Sequence, residues 1–143
     1  MVASEILVVR ASLRARLYRD IEIRGSQSLE NLAEAIVSAF GFTSDHAYGF
    51  YSRLKGRLYD SPIKYELFAD LGASDAGSVV RTPVASAFPE VGAKMTFLFD
   101  YGDEWRFMVE LIGKRQAEPG AQFPRVVAKV GKAPEQYPGL EVE

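Results

Sequence analysis

Phe97–Leu111 reads FLFDYGDEWRFMVEL, two alternating apolar runs around a short polar centre. Successive side chains on a strand point to opposite faces, so the alternation predicts an antiparallel hairpin. Met95, Phe97, Phe99 and Tyr101 share one parity, and Trp105, Phe107, Val109 and Leu111 share the same one. A two-residue loop at Gly102 and Asp103 would set Phe99 against Arg106, apolar against polar along the whole pair. A three-residue loop of Gly102, Asp103 and Glu104 instead aligns Tyr101 with Trp105, Phe99 with Phe107, Phe97 with Val109 and Met95 with Leu111, and a five-residue loop keeps the same parity. The expected register places Asp100 opposite Arg106 as a structural cross-strand ion pair that holds the aspartate ionised. The tip, Gly102–Glu104, is left without a core role.

The period changes on either side of this hairpin. EILVVRA (Glu5–Ala11) is a short β-branched run, and in RLYRDIEIRG the residues Leu17, Ile21 and Ile23 alternate with Tyr18, Asp20 and Glu22. These predict a buried strand and a half-exposed one. In SLENLAEAIVSAFG, Leu29, Leu32, Ala33, Ile36 and Phe40 recur at helical spacing, with Ser28 as N-cap, Glu30 and Glu34 at the positive end of the dipole and Gly41 as terminator. HAYGFYSRL predicts a strand closed by a turn at Lys55 and Gly56, with RLYDSP returning beside it. LGASDAGSVVRTP reads as loop, and TPVASAF as one helical turn capped by Thr82 with Pro83 first. PRVVAKVG predicts a last short strand and KAPEQYPG a turn-rich exit. Helices and strands do not alternate, which implies an α+β fold: a largely antiparallel sheet with one principal helix, Ser28 to Phe40, and a β-grasp-like start.

Length and composition set the frame for these elements. The 143 residues predict a single domain over 1–143, and 48% hydrophobic with 25% charged residues is the balance of a foldable globular chain. Strand-sized apolar runs and the opening MVASEILVVR predict neither a membrane span nor a signal peptide. The absence of cysteine excludes disulfides, thiolate metal sites and cysteine nucleophiles, and suits a cytoplasmic location. A net charge of −2 disfavours general nucleic-acid binding. Arg10, Arg14, Arg16, Arg19 and Arg24 cluster, but Glu5, Asp20 and Glu22 interrupt them, which reads as a mixed strand face.

Few residues carry recognisable chemistry. His46 is the only histidine and stands beside Asp45 in TSDHAYGF; a neutral imidazole can ligate a metal or act as a base. No G-x-S-x-G elbow and no phosphate-binding glycine loop is present in the sequence, so serine acyl transfer and nucleotide binding lack their motifs. Tyr48, Phe50 and Tyr51 alternate as strand core residues do.

Three ordered segments together resemble a known family. SLENLAEAIVSAFGFTSDHAYGF resembles its helix followed by a D-x-H strand start, FLFDYGDEWRFMVEL its D-x-G-D-x-W hairpin, and FPRVVAKVGKAPEQYPG its Y-P-R segment with a following G-x-x-x-P-E stretch. These are features of the plasmid pRiA4b ORF-three-like family. The resemblance runs from the first strand to about Gly139 and implies an α+β fold and a mobile-element context, without naming an activity. The matching positions are His46, Asp100, Gly102, Asp103, Trp105, Pro124, Arg125, Pro134 and Glu135. Many relatives have histidine two residues after the tryptophan, where this chain has Phe107, and late cysteines that it lacks, so the resemblance does not carry over a metal site built on them. Relatives often extend further at the C-terminus.

The reading that follows is a small binding or interaction module for a protein or small-molecule ligand, without a cofactor. Its candidate site is His46, Asp103, Glu104, Trp105 and Arg125: Trp105 an apolar anchor, Asp103 and Glu104 acceptors, Arg125 a donor. Two alternatives stand beside it, a metal-assisted hydrolase with His46, Asp100 and Asp103 as ligands, and a nucleic-acid accessory using the arginines of the second strand.

Overall fold

The aromatic alternation of the central hairpin sets the helix-covered side of the sheet. In the computed structural model, which describes residues 5–69 and 75–137, β1 (Glu5–Arg14) and β2 (Leu17–Arg24) form an antiparallel hairpin that leads into α1 (Leu29–Ala39). Then come β3 (Tyr48–Tyr51), β4 (Lys64–Glu66), β5 (Gly77–Ser78), the single turn α2 (Val84–Ala87), β6 (Lys94–Phe99), β7 (Trp105–Gln116) and β8 (Arg125–Val130). They make one sheet in the order β5-β4-β3-β6-β7-β1-β2-β8, antiparallel throughout except for the short β4–β5 pair. The α+β architecture and the hairpin-then-helix opening are therefore as expected.

α1 forms where its periodicity and caps coincide. The Ser28 hydroxyl accepts from the Asn31 amide at 3.1 Å while the Asn31 side chain accepts from the Ser28 amide at 3.3 Å, a reciprocal cap. Phe40 closes the helix and Gly41 follows at φ +75°, a conformation glycine adopts without steric penalty. The buried face, Leu29, Leu32, Ala33, Ile36 and Val37, packs on Leu7, Val9, Ile21, Ile23, Phe97, Phe107 and Val109. Each phenylalanine buried there contributes about 1.5–3 kcal/mol of transfer free energy.

The hairpin keeps its predicted parity with the longer of the two loops. Phe99 pairs with Trp105, Phe97 with Phe107 and Met95 with Val109, so the loop runs over five residues, 100–104. Tyr101 consequently leaves the strand. It joins Tyr51, Leu58 and Leu98 in a small cluster on the opposite face of the sheet, where its hydroxyl meets that of Tyr51 at 3.1 Å and Tyr51 donates to Glu66 at 2.6 Å. Burial pushes the Tyr101 hydroxyl up to about 12. Gly49 makes room for this cluster, because a Cβ there would sit 2.8 Å from the Tyr51 hydroxyl.

Other elements depart from the sequence reading. RLYDSP makes a 3-10 turn at Leu58–Asp60, and the strand beside β3 is β4. Pro83 is the residue before α2, and the Thr82 hydroxyl donates to the Ser78 carbonyl instead of capping. The stretch read as loop contains β5 and, at residues 71–74, positions outside the described residues. Asp20 and Glu22, expected on an exposed face, are buried beneath arginine partners.

Arg19 shares parity with Leu17, Ile21 and Ile23 and so enters the side covered by α1, where it is 2% exposed. Its Nε donates to the Ala39 carbonyl at 3.2 Å, its Nη1 to the carbonyls of Tyr18 and Val130 at 2.9 and 3.0 Å, and its guanidinium lies over the Phe40 ring at 4.7 Å. A guanidinium stays charged even though burial lowers its pKa from the ordinary value. Placed at the negative end of α1, it satisfies the Ala39 carbonyl that the helix leaves open. Replacing Arg19 by methionine leaves these acceptors without a donor, and we expect a loss of about 2–4 kcal/mol, read as a lower denaturant midpoint at unchanged slope. A loss below about 0.5 kcal/mol would show that the clamp adds nothing to stability.

Candidate functional site

Asp100 adopts φ +68°, in the left-handed region that aspartate tolerates better than most residues. Its amide donates to the Ala47 carbonyl at 2.9 Å, which ties the end of β6 to the segment just before β3. Its Oδ1 accepts from the amides of Gly102 at 3.0 Å and Asp103 at 3.2 Å, the local turn that short carboxylates favour. Only 5% of Asp100 is exposed. The other oxygen, Oδ2, faces His46 Nε2 at 3.4 Å.

His46 lies over this carboxylate, partly exposed, its ring edge-on to Phe99 at 6.1 Å. Asp45 Oδ1 is 3.5 Å from the same Nε2. The Tyr137 hydroxyl is closer still, 2.7 Å from Nε2, and donates to Asp45 at 3.0 Å to Oδ2. Desolvation first, then the hydrogen bond to Asp45, pushes this hydroxyl up to about 12, with Asp100 and Asp103 adding to the shift. Next to it, the Gln136 side chain accepts from the Thr43 amide at 2.7 Å and donates to the Thr43 carbonyl at 3.1 Å. The arrangement gives one imidazole nitrogen, two carboxylates and a phenol within hydrogen-bonding range, open to solvent on one side.

The predicted residues divide around this centre. His46 is at it, and Asp103 is close enough to add to the field on Tyr137. Asp100, assigned to an ion pair with Arg106, belongs to the site instead. Arg106 stands opposite Leu98 on β6, donates to Glu104 at 3.1 Å and to the Gly56 carbonyl at 3.1 Å, and so draws Glu104 away from the imidazole. The expected Asp100–Arg106 pair fails because the longer loop takes Asp100 out of the ladder. Trp105 packs its ring 4.9 Å from Phe42, and its indole N–H is buried without a partner among the described residues. It is partly buried and packs against the core, not an exposed anchor.

Arg125 is not brought to His46. It lies on β8, at the far end of the sheet, where it donates to Glu22 at 2.8 Å and to Glu118. Arg115 completes the group with two bonds of 2.6 Å to Glu22. Asp45 and Tyr137 were missed as members of the site. Asp45 was visible only as a neighbour of His46, and Tyr137 stood in a turn-rich exit whose spacing says nothing of where it folds back. Among the described residues no group of three histidine, aspartate or glutamate side chains is arranged to hold a metal ion, and no helix is long and apolar enough to cross a membrane.

Residues 5–140 match the family model described as plasmid pRiA4b ORF-3-like protein. The chain belongs to this family. Its hairpin motif is thus the element that carries Asp100 and Asp103, and its single histidine sits directly above. No curated protein matches the chain. Among solved structures it is similar to a protein of unknown function, MM3350, from Methanosarcina mazei Go1, with a TM-score of 0.70 and 17% identity over 87% of this chain and 69% of that one. At that identity the likeness shows the fold that this family member shares, and nothing of chemistry.

The Glu22 group makes stability depend on acid. Hydrogen bonds from Arg115 and then Arg125 hold its carboxyl below the ordinary glutamate value. A depressed folded pKa gives stability that is fully present above roughly 4.3 and lost as pH falls through the lowered value. Glu22→Gln should therefore be less stable near neutral pH and show a shallower decline below about pH 4 in urea midpoints. An acid limb parallel to that of the wild type would count against this account.

Proposed function

We propose that the protein is a recognition module whose binding site is the edge formed by Asp45, His46, Asp100 and Asp103. The observation that carries this reading is the division of labour in Asp100. One oxygen is consumed by turn amides and cannot move; the other faces an exposed imidazole. A buried carboxylate held by its own loop presents a fixed acceptor, which is what orientation-dependent recognition of a polar group needs. Phe99 stands beside it, edge-on to the His46 ring at 6.1 Å.

The metal-assisted hydrolase keeps one supporting observation, the approach of His46 to Asp100. Against it, Asp100 Oδ1 is already engaged by turn amides, and among the described residues no three histidine, aspartate or glutamate side chains are arranged to hold a metal ion. The nucleic-acid reading, built on the arginines of the second strand, is weakened at two of them: Arg19 is buried against carbonyls and the Arg24 guanidinium lies over the Phe123 ring at 5.1 Å.

The test uses the single histidine of the chain, whose side-chain NMR signals need no assignment among several. Ethylammonium, para-cresol and acetate are titrated at millimolar concentration into the wild type and into Tyr137→Ala, which uncovers the imidazole. We expect saturable shifts of the His46 signal with at least one probe, and their loss in Asp45→Asn/Asp100→Asn. If no probe moves His46 in either protein, the reading is wrong.

A further inference from the structure

We infer that the site takes a neutral hydroxyl group, phenolic in type, and that the chain's own Gln136 and Tyr137 form a strap that occupies its place. This rests on the binding reading above and adds to it the ligand's chemistry and its control. The Tyr137 hydroxyl does two things at once: it donates to Asp45 and meets His46 Nε2 at 2.7 Å. A hydroxyl carries one proton, so when it gives that proton to Asp45 it must accept from an imidazole that is protonated at Nε2. That tautomer also directs the N–H toward the field of Asp100.

Few chemical groups meet both demands. An ammonium can donate to the carboxylates but has no lone pair to offer Nε2–H. A carboxylate or phosphate can accept from Nε2–H but would lie beside Asp45, Asp100 and Asp103, whose like charge opposes it. A hydroxyl satisfies both partners, and an aromatic ring behind it can repeat the edge-on packing that Tyr137 makes with His46, centroids 6.1 Å apart.

The strap is held in the manner of something that can let go. Its polar grip on Thr43 runs through the Gln136 amide, and its grip on the site runs through one phenol; both sets of bonds are solvent-exposed. Such bonds contribute about 0.5–1.5 kcal/mol each. A ligand that needs the strap displaced binds more weakly by the fraction of time the site is open. Gln136 Nε2 donates only long bonds to the site, 3.4 Å to Asp45 Oδ1 and 3.4 Å to the Tyr137 hydroxyl, and it makes no bond to His46 or Asp100. Changing it therefore loosens the strap and keeps the His46–Asp100 approach.

The experiment compares para-cresol, toluene and ethylammonium against the full chain and its Gln136→Ala and Tyr137→Ala variants, reading the His46 signal. We expect para-cresol to bind both variants more tightly than the wild type, by about tenfold if the strap is closed roughly nine-tenths of the time. Toluene, which lacks the hydroxyl, should leave the His46 signal in place. Equal response to para-cresol in all three proteins would overturn the strap. A response to ethylammonium or toluene as large as that to para-cresol would overturn the hydroxyl assignment while leaving the binding site standing, and silence toward every probe would remove both.

Discussion

Asp100 turns the chain over at the end of β6, and much of the molecule follows from that one left-handed residue. If the strand continued, Tyr101 would project into the helix-covered core beyond Phe99. At φ +68° the backbone leaves the ladder instead, Tyr101 swings to the other face beside Tyr51, and the loop closes when the Glu104 amide reaches the Asp100 carbonyl. The aromatic ladder of Phe97, Phe99 and Phe107 is preserved because five loop residues keep the parity that three would have kept. The same turn buries the Asp100 carboxylate against its own amides and places it below His46. Fold and candidate site are thus two consequences of a single backbone choice.

The opposite end of the sheet is organised around charge that the core encloses. Arg19 joins β2, the C-terminal end of α1 and the last residue of β8 without any carboxylate, using carbonyls alone. Glu22 does the converse, gathering Arg115 and Arg125. Removing one partner of such a group leaves a buried charge or dipole uncompensated, which is why these contacts hold geometry even where their net stabilisation is modest. By fixing the end of β8, the Arg19 clamp also fixes the start of the segment that returns to Thr43 and His46. Gly131, at φ +86°, makes the turn out of β8; a Cβ there would lie 2.4 Å from the Arg16 carbonyl.

What the sequence disclosed and what it hid separate along a physical line. Parity and helical period are local, so α1 with its Ser28 cap, the inward aromatics of β6 and β7, and the α+β class could all be read from spacing. Loop length is less local, since three and five residues give the same faces, and the choice moved Asp100 from an outer ion pair to the site. Arg19 was legible in principle: its parity matches Leu17 and Ile21, but an arginine between them reads as an exception until the helix-end carbonyl is seen to receive it. Arg125 was misplaced because nothing in its spacing tells which sheet edge the last strand joins. Tyr137 lies 91 residues from His46, and no periodicity connects them.

The carboxylates around His46 differ in what they can do, and this bears on the kind of site they form. Asp100 is buried and bonded to its loop, so it can orient an imidazole but has little freedom to follow a moving proton or ion. Asp45 is largely exposed and meets solvent and Tyr137, so it can exchange partners. Here Asp45, Asp100 and Tyr137 all approach the same nitrogen, Nε2. That convergence concentrates the hydrogen-bonding demand of the cluster on one nitrogen of the ring, which is the geometry the proposed recognition reading uses.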